Sequence, residues 1–191
     1  MEYHVWHGTN QVFDVFDPAM LGLNTDNASS RRAFYFAQIA ETAWDYAEFA
    51  SRNLILDQVA HEMRISAIIA NANEASKRGR FDEYERLILE AEDIEAHAVR
   101  ADPVPILLHC AVRLDNPFEI EASDLTDIGD LMDTARANGH DGLIIHNMHD
   151  TPSGAGPACD HFAVFTASAI VIIERFDRLQ TYDIPEMVMI S

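Results

Sequence analysis

The sequence predicts an α+β domain, because short strand-like runs gather toward both ends of the chain and longer helical patterns lie between them. The strand-like runs are rich in aromatic and branched apolar residues, and they include residues 34–37 and 161–165. Between residues 38 and 99, apolar residues instead recur every three or four positions, as in amphipathic helices. A chain of 191 residues suits one domain that carries a helical insertion.

The N-terminal quarter predicts short strands followed by a helix. Residues 3–8 form an apolar-alternating run that ends at Gly8, and residues 12–17 alternate again until Pro18 stops them. Residues 23–32 are rich in Asn, Ser and Thr, which favours a loop. A short strand and an amphipathic helix follow, over residues 34–37 and 38–52.

Residues 54–100 predict a helical hairpin that is inserted between strands. Its first helix covers residues 54–75 and is broken by a basic segment that contains Gly79, as helix C-termini prefer. Its second helix covers residues 81–99, with apolar side chains on one face. Residues 1–191 are therefore read as one domain, with the hairpin as its insertion.

The C-terminal half is again predicted to consist mainly of strands. The longest strand is predicted over residues 103–114, and a turn at Asn116-Pro117 follows it. A helix capped by Ser123 runs to Asn138 and ends at Gly139. Shorter strands and one flexible, Pro- and Gly-containing loop complete the chain: the strands over residues 118–120, 143–145, 161–165 and 170–173, and the loop over residues 147–160.

The net charge of the chain limits the classes of partner that it is expected to bind. Thirteen Lys and Arg residues against 32 Asp and Glu residues give a formal net charge of −19. Nonspecific nucleic-acid binding is not expected, because such binding depends on cationic contacts with phosphates. The carboxylates concentrate in residues 82–95 and 115–133. They predict either a solvated surface or an acidic face that docks a basic partner or imitates DNA.

The same composition predicts a cytoplasmic protein, or one that is delivered into a host cytoplasm. No apolar run approaches the roughly 20 residues that a membrane span needs, so no membrane partner is expected. No secretory signal is recognisable at the N-terminus. The two cysteines, Cys110 and Cys159, are too few for a disulfide framework.

Two short motifs and one helical tyrosine carry a family resemblance. His7-Gly8-Thr9 closes the first strand, Phe34-Tyr35-Phe36 forms the next strand, and Tyr46 follows on the helix, eleven residues after Tyr35. This order resembles the ADP-ribosyltransferase superfamily, in the His-Tyr-Glu class shared by poly(ADP-ribose) polymerases and diphtheria toxin. Residues 139–144 and 162–165 are similar to the transferase domains of phage and plasmid polyvalent proteins.

The resemblance implies a fold and an activity. The fold would be a split pair of small antiparallel sheets, with residues 54–100 as an inserted helical hairpin. The activity would be mono-ADP-ribosyl transfer from NAD+ to a protein or another macromolecular acceptor, as in bacterial or phage toxins and effectors. NAD+ glycohydrolase activity is one alternative. A catalytically weak or inactive acidic protein that binds a basic host partner is another.

The resemblance also implies roles for the residues of the two motifs and for Tyr46. His7 would donate a hydrogen bond to the adenosine ribose, and Thr9 would add a hydroxyl contact. The backbone of Gly8 would bind the nicotinamide amide, since a residue without a side chain permits a close approach. The rings of Tyr35 and Tyr46 would pack around nicotinamide, whose flat cationic ring favours aromatic contacts. These side chains are expected to converge on one crevice.

The chain departs from the family pattern at the position of the catalytic carboxylate. The family places Glu at the start of the last long strand, and this chain has His161 there, directly after Asp160. Asp160 and His161 are both candidates, although neighbours in a strand point to opposite faces. Asp150 in the preceding loop is a third candidate. Arg31 or Arg32 would contact the pyrophosphate, or they form a solvated pair.

A metal site near the loop over residues 147–160 is the last alternative. His146, His149, Cys159 and His161 are all potential ligands that lie within a short stretch of sequence. Metal sites need ligands at fixed spacing on ordered elements, and a loop rich in Gly and Pro does not supply that. The resemblance therefore implies NAD+ as a substrate, and the sequence predicts no metal cofactor.

Overall fold

The computed structural model describes residues 1–22, 28–96 and 104–177. Parts of the predicted loop 23–32, of the second hairpin helix and of the strand from residue 103 lie outside these ranges. The chain divides into two compact units, Met1–Ala50 with Val104–Ser191, and Ser51–Pro103.

Seven strands form one mixed sheet, which together with the helices gives the predicted α+β class. The spatial order is β4-β5-β6-β2-β1-β3-β7. Among these strands, β4 and β5 pair in parallel and the other neighbours pair antiparallel. The strands are β1 (Glu2–Thr9), β2 (Phe34–Ala37), β3 (Ile106–Arg113), β4 (Phe118–Glu121), β5 (Gly142–Met148), β6 (Cys159–Val164) and β7 (Ile170–Phe176).

Three α-helices accompany the sheet: α1 (Ala40–Lys77), α2 (Phe81–Ala96) and α3 (Ile128–Ala137). The prediction of separate helices over residues 38–52 and 54–75 was wrong, because α1 is continuous. No Gly or Pro interrupts residues 40–77, so the backbone hydrogen-bond ladder continues through the polar residues that broke the apolar pattern. No helix in the described ranges is both long and apolar enough to cross a membrane.

The register of the sheet sorts its side chains into two faces. β2 and β6 pair from Phe34 with Val164 to Ala37 with His161, and β1 meets β2 at Trp6 and Ala37. Directly paired residues share a face, and successive residues alternate between faces. We call the two faces the phenylalanine face (Val5, Phe34, Phe36, Phe162 and Val164) and the tyrosine face (Trp6, Tyr35, Ala37, His161 and Ala163).

Two local predictions were wrong. Residues 12–17 form no strand, and the segment instead turns through a short 3-10 helix at Pro18–Met20, where the Asp17 side chain accepts a hydrogen bond from Ala19 N at 2.9 Å. Helix α3 starts later than predicted, because Asp127 caps it by accepting from Asp130 N at 2.9 Å. Ser123 lies in a separate 3-10 turn.

The loop predicted over residues 147–160 is shorter than expected, because β5 runs to Met148 and β6 begins at Cys159. A bulge lies between Ile145 and Met148. Within it, Asn147 has φ 54°, a left-handed conformation that asparagine tolerates better than most residues. The bulge redirects the chain into the loop that approaches α1.

The unit Ser51–Pro103 contains most of α1 together with α2. Its core consists of Ile68 and Ala72 from α1 and of Leu87 and Ala91 from α2. These residues recur at helical spacing on each helix, so each helix presents one apolar stripe to the other.

Candidate functional site

Tyr35 stands on the tyrosine face of β2. Its ring packs beside Met132 and Ala163, and its hydroxyl lies 3.6 Å from the Met132 sulfur on α3. The hydroxyl also bonds to the Ser29 side chain, and the Arg32 charge is close enough to act on it. Burial raises the pKa of Tyr35, with these two contacts opposing the shift. The phenol is therefore protonated at neutral pH.

Tyr46 projects from the first turns of α1 toward the loop between β5 and β6. Its hydroxyl donates to the carbonyl oxygen of Asp150 at 3.0 Å. One residue earlier on α1, the Asp45 carboxylate accepts a hydrogen bond from Ser153 N at 2.9 Å. Burial, and then the contacts with Asp150, raise the pKa of Tyr46. These two hydrogen bonds hold the loop against the helix.

Asp150 is the carboxylate that the structure brings to this face. Its side chain is exposed, and its negative charge acts on Tyr35, Tyr46 and His161. A charge acts measurably only on groups within a few ångströms to about a Debye length. By sequence, Asp150 was the third candidate for the catalytic position after Asp160 and His161, because a loop position carries no register that would place it.

His161 lies on the tyrosine face, paired with Ala37 and with Ile145. The residue is 6% exposed, and its Nε2 has no hydrogen-bond partner among the described residues. Burial lowers the pKa of His161, and the charges of Asp150 and Asp160 oppose that shift. The ring is therefore neutral at pH 7. A buried nitrogen without a partner costs stability, which makes it a candidate for ligand contact.

Asp160 faces away from this site. Its carboxylate lies 3.1 Å from His146 Nδ1 and accepts from Asn147 N at 3.3 Å. His146 also contacts the Glu119 carboxylate at 3.3 Å. The β2–β6 register contains no bulge at this point, so Asp160 and His161 alternate as strand neighbours do. The structure therefore separates the two catalytic candidates.

His7 lies on the phenylalanine face, where its ring packs against Phe13, Phe16 and Phe36 at centroid distances of 6.3, 5.1 and 5.5 Å. Its Nδ1 is 2.8 Å from the Tyr35 carbonyl oxygen. A carbonyl only accepts, so Nδ1 carries the proton. Burial lowers the pKa of His7, with this hydrogen bond opposing the shift. The neutral ring thus offers Nε2 as an acceptor, where the resemblance implied a donor.

The His7 imidazole and the Tyr35 ring do not meet side by side. They stand on different faces of the sheet, and the Tyr35 carbonyl is the link between them. Tyr35, Tyr46 and His161 have in common that the charge of Asp150 acts on each of them. We call these four residues the group on the tyrosine face, with Tyr46 contributed by α1 and Asp150 by the loop after β5, whereas His7 lies on the other face of the sheet.

Gly8 is covered by α1. A Cβ added at Gly8 would overlap the Ala43 carbonyl oxygen and would lie 2.8 Å from Ala47 N. The side of Gly8 that the resemblance assigns to the nicotinamide amide is thus in contact with the helix backbone. Thr9 is buried, and its hydroxyl accepts from Gln11 N at 3.2 Å, which stabilises the local turn.

The two arginines differ in their surroundings. Arg32 makes an ion pair with Asp133 on α3 at 3.2 Å, and its carbonyl oxygen accepts from Arg136. Arg31 ends a 3-10 turn over Ala28–Arg31 and is exposed. Arg32 is therefore held by its ion pair with α3. Arg31 is exposed, so it is the better placed of the two to reach a phosphate.

The potential metal ligands are dispersed. Cys159 Sγ lies 3.6 Å from Thr42 Oγ1 in a buried contact, and His149 is exposed on the loop. Across residues 1–22, 28–96 and 104–177, no three His, Cys, Asp or Glu side chains are arranged to hold a metal ion.

The group on the tyrosine face has the chemistry of a polar ligand site. It combines two protonated phenols, a neutral imidazole with a free nitrogen, and one exposed carboxylate. Such a set suits a ligand with hydroxyls and a developing positive charge. No protein-family model matches this chain, and no curated protein matches it in sequence.

Proposed function

We propose that the chain binds NAD+ and transfers ADP-ribose to a macromolecular acceptor, in the manner of the ADP-ribosyltransferases that its motifs resemble. The observations that carry the proposal are that Tyr35 and His161 lie on one face of the sheet, that the buried His161 Nε2 has no hydrogen-bond partner among the described residues, and that Tyr46 donates to the backbone of Asp150, whose charge acts on all three residues. The tyrosine spacing and the His7 contact to the Tyr35 carbonyl agree with this reading.

We further propose that the sheet corresponds to the split arrangement of that family. β1 joins β2 through Trp6 and Ala37, whereas β1 pairs with β3 along eight positions and β2 pairs with β6 along four. The strands thus fall into two groups, β4-β5-β6-β2 and β1-β3-β7, with a short connection between them.

The reaction assigns a role to each residue of the group. The glycosidic bond breaks, its electron pair goes to the nicotinamide nitrogen, and C1′ of the ribose gains oxocarbenium character. Asp150 stabilises that positive charge, while Tyr35 and Tyr46 contact the flat nicotinamide ring. An acceptor nucleophile then bonds to C1′ and gives up its proton. His161 is neutral and buried, so it is suited to accept a hydrogen bond or that proton.

Nicotinamide can reach the Gly8 backbone only if the first turns of α1 move. The Ala43 carbonyl and the Ala47 amide occupy the space beside Gly8. NAD+ binding through Gly8 therefore predicts a displacement of residues 40–50 that hydrogen exchange would detect as altered protection. Unchanged protection of this segment in the presence of bound NAD+ would show that nicotinamide lies elsewhere.

The test compares two isosteric changes on opposite faces of the sheet. Asp150→Asn removes the carboxylate beside the tyrosines and should reduce label transfer from NAD+ by about 100-fold, the typical loss when one electrostatic contact in a transition state is removed. Asp160→Asn removes the carboxylate beside His146 and should leave transfer near its original rate. Calorimetry with NAD+ measures binding separately, and an absence of NAD+ binding by the unmodified chain would refute the proposal.

A second candidate is hydrolysis of NAD+, and a specific observation favours it. By the resemblance, His161 stands where the family has its glutamate, and its imidazole, whose pKa burial lowers, could accept a proton from water. Free ADP-ribose without any labelled macromolecule would identify a glycohydrolase. Labelled macromolecules that persist after gel filtration in denaturant would identify a transferase. A chain that does neither, and binds a basic partner in a salt-sensitive way, would be an acidic interaction protein.

A further inference from the structure

Two histidines meet where β1 and β3 pair. His109 is the direct partner of Trp6 across the two strands, and His4 lies two residues before Trp6 on β1. Paired residues and residues two apart share a face, so both imidazoles lie on the face that carries Trp6. His4 Nδ1 and His109 Nε2 are 3.3 Å apart. The proposed reaction with NAD+ uses neither ring.

The distance between these two nitrogens suits two ligands of one tetrahedral ion. Zn²⁺ binds imidazole nitrogen at about 2.0–2.1 Å, and two such bonds at a tetrahedral angle place the nitrogens roughly 3.3–3.4 Å apart. Hydrogen bonds donated by N–H are most often shorter, at about 2.9–3.0 Å. The His4 side chain is 55% exposed, so its ring has room to turn its lone pair toward a shared ion.

A carboxylate accompanies each of the two rings. Histidines that bind metals commonly donate their second ring N–H to a carboxylate, which fixes the tautomer. The second nitrogen of His4, Nε2, lies 3.7 Å from Glu2 Oε1. Glu174 on β7 is the direct partner of His109 on β3, and such partners have neighbouring side chains on one face. The two carboxylates would offset the charge of a dication.

A bulge in β7 gives His109 this charged neighbour. Cys110 pairs with Ile172, and the pairing then skips Ile173, so that His109 pairs with Glu174. In an unbroken register, the apolar Ile173 would be the partner of His109. Bulges re-aim side chains and are frequent beside functional sites. The irregularity therefore replaces an apolar partner of His109 with a carboxylate.

Trp6 holds the His109 ring in place. The two rings stack at a centroid distance of 4.6 Å with an interplanar angle of 21°. On β7, Phe176 packs against Trp6 at a centroid distance of 5.9 Å. A ligand that is already held in one orientation loses little conformational freedom on binding. His109 is thus preorganised, and His4 is the ring that turns.

We propose that His4 Nδ1 and His109 Nε2 bind one divalent transition-metal ion of tetrahedral preference, with Zn²⁺ as the best fit. Imidazole nitrogen suits Zn²⁺ and its neighbours among the late first-row metals, whereas Mg²⁺ and Ca²⁺ prefer oxygen. Within the described ranges, no third histidine, cysteine or carboxylate is arranged with this pair as a ligand. Water completes the coordination, so the ion exchanges readily and keeps positions open to a further ligand.

Calorimetric titration of the full chain with ZnCl₂ tests the proposal, in a buffer whose millimolar MgCl₂ occupies exposed carboxylates. One Zn²⁺ per chain should bind most tightly. His4→Gln and, independently, His109→Gln should each weaken that binding at least tenfold, because even changes outside the ligand set cost about that much. His149→Gln is the matched control, since His149 is exposed on the loop after β5 and should leave binding unchanged. His4 is exposed, so His4→Gln should keep the original Tm without metal.

Co²⁺ tests the coordination geometry. Tetrahedral Co²⁺ absorbs visible light far more strongly than octahedral Co²⁺, so the unmodified chain should give an intense band that Zn²⁺ displaces and that His4→Gln lacks. A weak band would overturn the tetrahedral assignment. Equal Zn²⁺ affinity in the unmodified chain and in both histidine variants would overturn the proposal, because the ion would then be held elsewhere. An absence of Zn²⁺ binding would also overturn it, whatever the chain does with NAD+.

Discussion

Gly8→Ala separates two explanations for the glycine in the His7-Gly8-Thr9 motif. The family resemblance explains Gly8 by its contact with a ligand, whereas the structure explains it by its contact with α1. An added Cβ would overlap the Ala43 carbonyl oxygen and lie 2.8 Å from Ala47 N. Both atoms belong to helix backbone, which cannot rotate aside as a side chain can.

The loss of folding free energy that we expect for Gly8→Ala follows from this contact with the α1 backbone. An inserted methyl group in a packed region costs about 1–3 kcal/mol, and a backbone neighbour places Gly8→Ala near the upper end, about 3 kcal/mol. Each kcal/mol lowers Tm by roughly 2–4 °C in a chain of this size. We therefore expect Gly8→Ala to lower Tm by about 6–12 °C, measured by scanning calorimetry without NAD+.

The matched control is Gly154→Ala. Gly154 has φ +68° and no neighbour within 4 Å of an added Cβ, so its cost is the left-handed backbone alone, about 1 kcal/mol. If Gly8→Ala keeps the original Tm and loses NAD+ binding, the glycine serves the ligand and the packing argument is wrong. If it lowers Tm as far as expected, α1 requires the glycine even without a ligand.

Three further substitutions test the buried histidine on β6, the loop between β5 and β6, and the start of α3. His7 is half-buried and His161 is buried, and both have lowered pKa values. The folded chain therefore binds fewer protons than the unfolded one, and its stability should fall as pH drops below about 6.5. Urea unfolding from pH 8 to 5 should show a shallower pH dependence for His161→Phe. Tyr46→Phe removes the hydrogen bond to Asp150 O, worth about 0.5–1.5 kcal/mol, and should speed amide exchange in the adjacent loop by about 2- to 12-fold, whereas no change would mean that the loop is held elsewhere. Asp127→Ala removes the N-cap of α3 and should destabilise the chain by about 1 kcal/mol in the same unfolding assay; an effect of Ser123→Ala equal to it would contradict the observed helix start.

His146 and His161 respond to pH in opposite directions. His146 lies between Asp160 and Glu119, and although burial acts to lower its pKa, hydrogen bonds to both carboxylates raise it overall. Its contribution to stability is present at acidic pH and is lost as pH rises through that raised pKa. His161, one position beyond Asp160, contributes in the opposite direction. The sign of the pH response therefore distinguishes the loss of His146 from the loss of His161.

Much of the fold could be predicted from local patterns. The strand over residues 34–37 was confirmed residue for residue, since a short aromatic run favours a strand wherever it is buried. The break near Gly79 was also confirmed, because a left-handed glycine ends α1 at that point. The division of α1 into two helices failed, because polar residues interrupt an apolar pattern without interrupting backbone hydrogen bonds.

By itself, the sequence determined the α+β class, the strand over residues 34–37, and the placement of Tyr35 on that strand and of Tyr46 on the following helix, because these depend on periodicity and spacing along the chain. Only the tertiary structure decided that His161 lies on the same face of the sheet as Tyr35 while the Asp160 carboxylate contacts His146. It also brought Asp150 to that group and α1 onto Gly8. Strand register and loop position arise from pairings between residues more than a hundred positions apart, and such pairings leave no local pattern to read.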